Sequence, residues 1–135
     1  MKVVIDTNIL ISAVIRDRIP ERVLLWCLRQ PDVDWLVTPA IMDEYLEVIR
    51  RPKFALPNAV IAWWSELLIS DTKRVQPGFP VDFPRDSKDA PFIVCCVSGG
   101  ADYLITGDGD FIDAQGLVST RIISARGFAG EVMGD

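Results

Sequence analysis

The sequence predicts an α/β protein built around a mostly parallel sheet. Short apolar runs typical of buried strands alternate along the 135 residues with longer segments in which apolar residues recur every three or four positions, as on one face of a helix. Strands that alternate with helices favour parallel pairing, because each helix returns the chain to the edge where the next strand begins. Half of the residues are hydrophobic, so we expect one domain with its own core over residues 1–135.

The first part of the chain contains two predicted strands and three predicted helices. Val3-Val4-Ile5 is a continuous apolar run, which fits a strand buried on both faces. Thr38 and Pro39 are a typical N-cap and first helical residue. In order, the pattern predicts a strand over 1–5, helices over 8–16 and 21–30, a strand over 35–37 and a helix over 39–51.

The rest of the chain continues the alternation. Pro91 disfavours helical geometry at Ala90, so the helix that contains Pro91 could begin as late as Asp89 or Ala90. In order, the pattern predicts a helix over 57–70, a short strand over 73–75, a helix from the 86–90 region to 98, a strand over 102–105, a further helix before the next strand, a strand over 121–123 and a helix over 124–133.

Histidine is absent from the sequence, and this limits the kinds of catalytic and metal site that the protein can have. It excludes Ser-His-Asp and Cys-His catalysis and most zinc sites. Cys27, Cys95 and Cys96 lie in apolar surroundings and match no zinc spacing, so we expect reduced, buried thiols. The chain begins directly with a predicted strand, without a leader pattern, and its apolar runs are too short for a bilayer. We therefore expect a cytoplasmic protein with no membrane partner.

The formal net charge of −5 argues against a protein that coats nucleic acid by bulk charge. It does not exclude a nucleic-acid substrate if part of the charge belongs to a carboxylate cluster that holds divalent cations. Bound cations are often the largest local charges in a site.

Four acidic residues fall where they could meet. Asp6 and Asp108 follow predicted strands, Asp89 lies at a helix start, and Glu44 borders the apolar face of the helix over 39–51. Ligands of open α/β sheets bind at the carboxyl ends of the strands, and carboxylate oxygens suit Mg²⁺ or Mn²⁺. Each residue also has a structural interpretation: an ion-paired helix flank for Glu44, a first-turn acid for Asp89 and a turn residue for Asp108.

Four segments resemble motifs of PIN-domain proteins, in the order in which that family has them. Val-Val-Ile-Asp-Thr-Asn-Ile-Leu-Ile-Ser-Ala, which contains Asp6, resembles the family's opening. Ala-Asp-Tyr-Leu-Ile-Thr-Gly-Asp-Gly-Asp-Phe, which contains Asp108, resembles its fourth-strand motif. Glu44 stands in Thr-Pro-x-x-x-x-Glu, and Arg-Asp-Ser-Lys-Asp, which ends at Asp89, resembles the acidic start of the following helix. The resemblance covers essentially the whole chain and looks like the branch of VapC-like toxins of toxin–antitoxin pairs.

The resemblance implies a three-layer α/β/α sandwich with a mostly parallel five-stranded sheet, usually dimeric. It also implies a Mg²⁺- or Mn²⁺-dependent endoribonuclease that hydrolyses single-stranded RNA and has a cognate antitoxin. The metal-binding and catalytic residues would be Asp6, Glu44, Asp89 and Asp108. The accessory residues would be Asn8 and Thr106, which orient the site, and the acids Asp86 and Asp110. Pro91 departs from the family pattern and leaves the pose of Asp89 open.

An acidic protein would have to attract RNA locally. The candidate phosphate contacts are Arg50, Arg51, Lys53, Arg85 and Lys88. They flank helices that we place near the acidic residues, and a dimer would extend the groove. They are equally well interpreted as helix-end and solubility charges, and the sequence leaves both interpretations open.

Two other functions fit parts of the pattern. A catalytically silent PIN-fold module that binds RNA or an antitoxin would have the same fold, although an intact set of acidic residues speaks against it. Phosphatases of the haloacid dehalogenase type also begin with a strand followed by Asp. They need Asp-x-Asp, however, and Asn8 occupies the third position here.

Overall fold

The computed structural model describes residues 1–78, 89–108, 111, 115 and 118–134. The strands are β1 (Lys2–Ile5), β2 (Asp34–Val37), β3 (Lys73–Arg74), β4 (Tyr103–Ile105) and β5 (Arg121–Ile123). The helices are α1 (Thr7–Val14), α2 (Arg18–Arg29), α3 (Pro39–Val48), α4 (Asn58–Asp71), α5 (Ala90–Gly99) and α6 (Ala125–Glu131), and a 3₁₀ turn covers Pro52–Phe54. Each helix and strand with predicted bounds is therefore present, and the further helix predicted between the fourth and fifth strands falls partly on residues outside the described part of the chain. Within the described residues, no helix has the length and apolar character that a membrane span needs.

The strands form one parallel sheet in the order β3-β2-β1-β4-β5. Successive residues of a strand point to opposite faces of the sheet. Val3, Val4 and Ile5 of the central strand β1 are all completely buried, so both faces are covered. The sheet is thus the middle layer of an α/β/α sandwich, which confirms the predicted fold class.

The strand order reverses at β1. The chain moves from β1 to β2 and β3 toward one edge, whereas β4 and β5 lie on the other side of β1. Because parallel connections are right-handed, the reversal puts α5 on the face opposite to α1, α2, α3 and α4. There α5 contacts β1, β2 and β4. The crevice at such a reversal, outside the carboxyl ends of the strands, is where open α/β sheets bind ligands.

The helix α3 ends at Val48, so the predicted helix end at residue 51 was wrong. Pro52 explains the difference, because proline has no backbone N–H and disfavours helical geometry at the residue before it. Arg51 is accordingly extended, with φ −65° and ψ 129°. Arg50 and Arg51 therefore lie in the connection that follows α3 and not in its last turn.

Cys27, Cys95 and Cys96 are buried and free, as predicted. Burial raises the pKa of each thiol to about 12. The thiols are therefore neutral at physiological pH and act as small apolar side chains of the core.

Tyr45 fixes α3 against the end of β1. Its side chain is completely buried, and its hydroxyl donates a hydrogen bond to the Ile5 carbonyl and accepts one from Trp35 Nε1 at 3.3 Å. Burial raises the pKa of Tyr45 well above its ordinary value, so the phenol stays neutral and keeps its proton for Ile5. The contact limits how far α3 can slide or rotate relative to β1.

Tyr45→Phe should lower the free energy of unfolding by about 1–3 kcal/mol, because it removes a buried hydrogen-bond partner from the Ile5 carbonyl and from the Trp35 N–H. Chemical denaturation measures the loss. Tyr103→Phe is the control, since Tyr103 is only half-buried and packs edge-on against another ring. A Tyr45→Phe variant as stable as wild type would show that the hydroxyl does not anchor α3.

Candidate active site

A cleft of about 780 Å³ lies at the carboxyl ends of β1 and β4, where the strand order reverses. Its lining residues are Asp6, Thr7, Asn8, Ile11, Ser12, Glu44, Val48, Arg51, Lys53, Phe54, Asp89, Phe92 and Asp108. All four acidic residues that the sequence suggested could meet therefore line one cleft, although they come from four separate segments of the chain.

The junction of β1 and α1 places Asp6. Its backbone N–H continues the sheet by donating to the Ile105 carbonyl at 2.9 Å, and its carbonyl accepts the first amides of α1, from Ile9 at 3.0 Å and from Leu10 at 3.3 Å. The backbone of Asp6 thus makes the hydrogen bonds that join β1 to β4 and start α1. The side chain lines the cleft, with the residue only 6% exposed.

Thr106 orients Asp6 from the end of the neighbouring strand. Its hydroxyl donates to Asp6 Oδ2 at 2.9 Å and accepts a hydrogen bond from the Asp108 backbone N–H at 3.0 Å. Thr106 therefore has the contact expected of an orienting residue. It also fixes the turn that carries Asp108, which is half-buried and lines the same cleft.

Burial raises the pKa of the Asp6 carboxyl above its ordinary value. The Thr106 hydroxyl and the Asn8 backbone amide stabilise the carboxylate and oppose the shift, whereas the negative charges of Asp108 and Glu44 raise the pKa further. A bound cation would relieve this repulsion.

Glu44 lies half-buried on the flank of α3, beside Tyr45. The sequence left open an ion-paired helix flank, but the pair that the structure shows is Glu47 with Arg51, at 2.9 Å. Glu44 instead accepts a hydrogen bond from the Thr7 hydroxyl. Thr7 was not predicted from the sequence as part of the site. The signal was a hydroxyl directly after Asp6, at the same strand end.

Asp89 precedes α5 and is 5% exposed. The carbonyl of Asp89 starts the helix by accepting hydrogen bonds from the amides of Phe92 at 3.1 Å and Ile93 at 3.3 Å, and its carboxylate does not cap the helix. Pro91 is the second residue of α5, where a missing N–H costs no helical hydrogen bond. The departure from the family pattern is thus compatible with an Asp89 that lines the cleft.

Two of the predicted phosphate contacts, Arg51 and Lys53, line the cleft. Arg51 forms a bidentate pair with Glu47, with Nη2–Oε2 and Nε–Oε1 distances of 2.9 Å and 3.2 Å, and this pair raises the pKa of Arg51. Arg50 is exposed and does not belong to the cleft lining.

Five further residues were predicted for the site, and the structure describes one of them. Asn8 is exposed at the start of α1 and lines the cleft. The residues that lie outside the described part of the chain are Asp86, Asp110, Arg85 and Lys88.

The model of the PIN domain family matches residues 2–110. The chain belongs to the PIN domain family. No curated protein sequence matches it. Among solved structures, it is similar to a chain in the crystal structure of VapBC2 from Rickettsia felis bound to a DNA fragment from their promoter. The TM-score is 0.61 and the sequence identity 11%, and the match covers 92% of this chain and 98% of that one. At this identity the likeness shows a shared fold.

The donor chemistry of this PIN-domain cleft fits a hard divalent cation. Its acidic side chains offer oxygen ligands, and the pKa of Asp6 is raised mainly by burial and further by the charges of Asp108 and Glu44. No three acidic side chains of residues 1–78, 89–108 and 118–134 stand together as a ready-made ion site. The carboxylates would have to move toward one another to coordinate a shared cation.

Asp6→Asn should raise the melting temperature of the cation-free protein at neutral pH, because the amide replaces a buried charge that its neighbours repel. The sign follows from the raised pKa of Asp6. Wild-type stability falls as the pH rises from the pKa of Asp6 in the unfolded chain to its pKa in the folded protein. The difference in melting temperature between Asp6→Asn and wild type should therefore disappear at a pH where Asp6 is protonated in both the folded and the unfolded state.

Thermal melts in EDTA between acidic and neutral pH measure this gap. Asp43→Asn is the matched control, since Asp43 is an exposed acid of α3. An Asp6→Asn variant less stable than wild type at neutral pH would contradict the electrostatic analysis.

Proposed function

We propose that the protein is a metal-dependent endoribonuclease that hydrolyses phosphodiester bonds of single-stranded RNA. The observation that carries this proposal is the convergence of four carboxylates on one cleft at the carboxyl ends of the central strands. They are Asp6, Glu44, Asp89 and Asp108. Membership of the PIN domain family supports the proposal, and so does the absence of histidine, which leaves carboxylates as the main candidates for the chemistry.

Asp6, Glu44, Asp89 and Asp108 would hold Mg²⁺ or Mn²⁺. A bound dication would supply an activated water and would neutralise the phosphate and the leaving oxygen. The chain itself supplies the geometry. Thr106 donates to one carboxylate oxygen of Asp6, and the Asn8 backbone amide also donates to this carboxylate, so both groups fix its orientation in the cleft. Burial of Asp6 and Asp89 removes bulk water from their carboxylates and strengthens their attraction for a cation.

The rim of the cleft suits a phosphate backbone. Arg51 and Lys53 provide positive charge next to the acidic residues, which a protein of net charge −5 needs in order to attract RNA locally. Lys53 Nζ lies over the half-buried Phe54 ring, 5.1 Å from its centroid, and the ring would offer a flat surface to one base once Lys53 turns to a phosphate. Stacking of this kind requires an unpaired base, so the rim favours a single strand over a duplex.

We also propose that the protein is the toxin of a toxin–antitoxin pair, that it acts in the cytoplasm and that it forms a homodimer. The similar structure from Rickettsia felis is a VapBC2 complex, which supports an antitoxin partner. The chain also exposes apolar surface that a protein partner could cover. Ile15 and Trp63 are 53% and 51% exposed and border a second groove of about 820 Å³, formed mainly by α1, α2 and α4.

A catalytically silent PIN-fold module that binds RNA or an antitoxin is the second candidate. The observation that favours it is that the acidic residues of the described ranges form no ready-made ion site. The two candidates differ in one outcome, because a silent module would bind RNA and leave it intact.

The nuclease should cleave single-stranded RNA in Mn²⁺ or Mg²⁺ and not in EDTA. Asp6→Asn and Asp108→Asn should each abolish cleavage and leave the fold intact, because both side chains line a polar cleft at a strand end. Gel electrophoresis of a mixed RNA pool measures cleavage, and circular dichroism checks the fold.

Asp43→Asn is again the control and should cleave at the wild-type rate. Cleavage by Asp6→Asn at that rate would show that the carboxylates are wrongly assigned. A wild-type protein that binds RNA without cutting it would favour the silent module.

Replacing Arg51 and Lys53 by alanine should weaken RNA binding for all sequences. The slope of log affinity against log salt should become shallower by about 0.7 for each lost phosphate contact, while Mn²⁺ affinity should not change. Fluorescence anisotropy from low to moderate salt measures the slope. Arg50→Ala is the matched control, since Arg50 is exposed next to the cleft and does not line it. A double variant with the wild-type slope would exclude both residues as phosphate contacts.

A further inference from the structure

Thr7 and Glu44 meet in the cleft from two different helices. Thr7 is the first residue of α1 and is 8% exposed, and its hydroxyl donates a hydrogen bond to Glu44 Oε2 on α3. Both residues line the cleft. The contact therefore joins the helix that directly follows Asp6 to the helix that carries Glu44.

The helix α1 does not need the Thr7 hydroxyl for its own structure. The Asp6 carbonyl already accepts the amides of Ile9 and Leu10 in the first turn. A threonine within or at the end of a helix commonly donates to a carbonyl one turn earlier, as Thr72 does at the end of α4. Thr7 has no preceding helical turn and donates to a carboxylate across the cleft instead.

Glu44 needs a partner in order to stay in the cleft. It lies on the flank of α3, where a long side chain can turn toward solvent, and its charge and that of Asp6 repel each other. The hydrogen bond from Thr7 holds one oxygen of Glu44 and leaves the other for a ligand. We infer that Thr7 is a positioning residue that holds Glu44 where it can share a divalent cation with Asp6, an inference that rests on the proposed metal-dependent function.

The cleft thus contains two hydroxyl–carboxylate pairs, Thr106 with Asp6 and Thr7 with Glu44. Each pair joins a strand end or a helix start to the carboxylate of another element. Removing the orienting partner of a metal ligand typically lowers metal affinity by 10–100-fold. Loss of the Thr7 hydroxyl should therefore be visible in cation binding even before cleavage is measured.

Thr7→Val tests the inference, because it keeps the β-branched shape and removes only the hydroxyl. Titration calorimetry of the full chain with Mn²⁺ alone should show an affinity lowered by about 10–100-fold, while Thr7→Ser should retain the wild-type affinity. Thr120→Val is the matched control, since Thr120 is 3% exposed and its hydroxyl donates to the Ala101 carbonyl outside the cleft. It should lose stability and keep its Mn²⁺ affinity.

A second comparison shows whether Thr7 acts through Glu44. In a Glu44→Gln background, Thr7→Val should cause no further loss of Mn²⁺ affinity, because the carboxylate that it positions is already gone. If Thr7→Val does not fold, Thr7→Ala is measured in the same way.

A folded Thr7 variant without the hydroxyl and with wild-type Mn²⁺ affinity would overturn the inference. A wild-type protein that binds Mn²⁺ but cleaves no RNA would contradict the nuclease proposal and leave the Thr7 comparison valid. A wild-type protein that binds no Mn²⁺ would overturn both.

Discussion

The hydrogen bond from the Tyr45 hydroxyl to the Ile5 carbonyl joins α3 to the last residue of the central strand. Because Glu44 precedes Tyr45 on α3, this contact brings Glu44 to the end of β1, where Asp6 lies in the cleft. The neighbouring strand β4 pairs with β1 and ends at the same edge of the sheet. This pairing places Thr106 next to Asp6 in the cleft. The acidic cleft therefore arises where two parallel strands end and one helix is fixed beside them.

Gathering carboxylates at this edge has an electrostatic cost for the folded protein. Burial raises the pKa of Asp6, and the charges of Asp108 and Glu44 raise it further. Hydroxyl groups of Thr106 and Thr7 donate to two of the carboxylates and compensate part of the cost. A dication would compensate more, and any ligand that binds only the folded state also stabilises it. In the function that we propose, burial and mutual repulsion of these carboxylates disfavour their charged form, and a bound cation would relieve both effects.

Much of the fold could be predicted from the sequence, because apolar periodicity is a local property and each helix and strand with predicted bounds is present. The approach of Asp6 and Asp108 could also be predicted, since the carboxyl ends of parallel strands share one edge. The contact between Glu44 and Thr7 could not, because it depends on the rotation of α3 about its axis, which tertiary packing sets. Pro52 indicates that α3 ends early, but helical periodicity alone does not reveal where the helix stops.

In the function that we propose, the four carboxylates of the cleft form one site for a divalent cation. Anomalous diffraction from crystals of the wild-type protein grown with Mn²⁺ tests it most directly. We expect an anomalous peak within about 2.0–2.6 Å of carboxylate oxygens from Asp6 and from at least one of Glu44, Asp89 and Asp108. A peak elsewhere on the molecule, or a cleft without Mn²⁺ in which Arg51 has turned to pair with the carboxylates, would show that the carboxylates do not form a cation site.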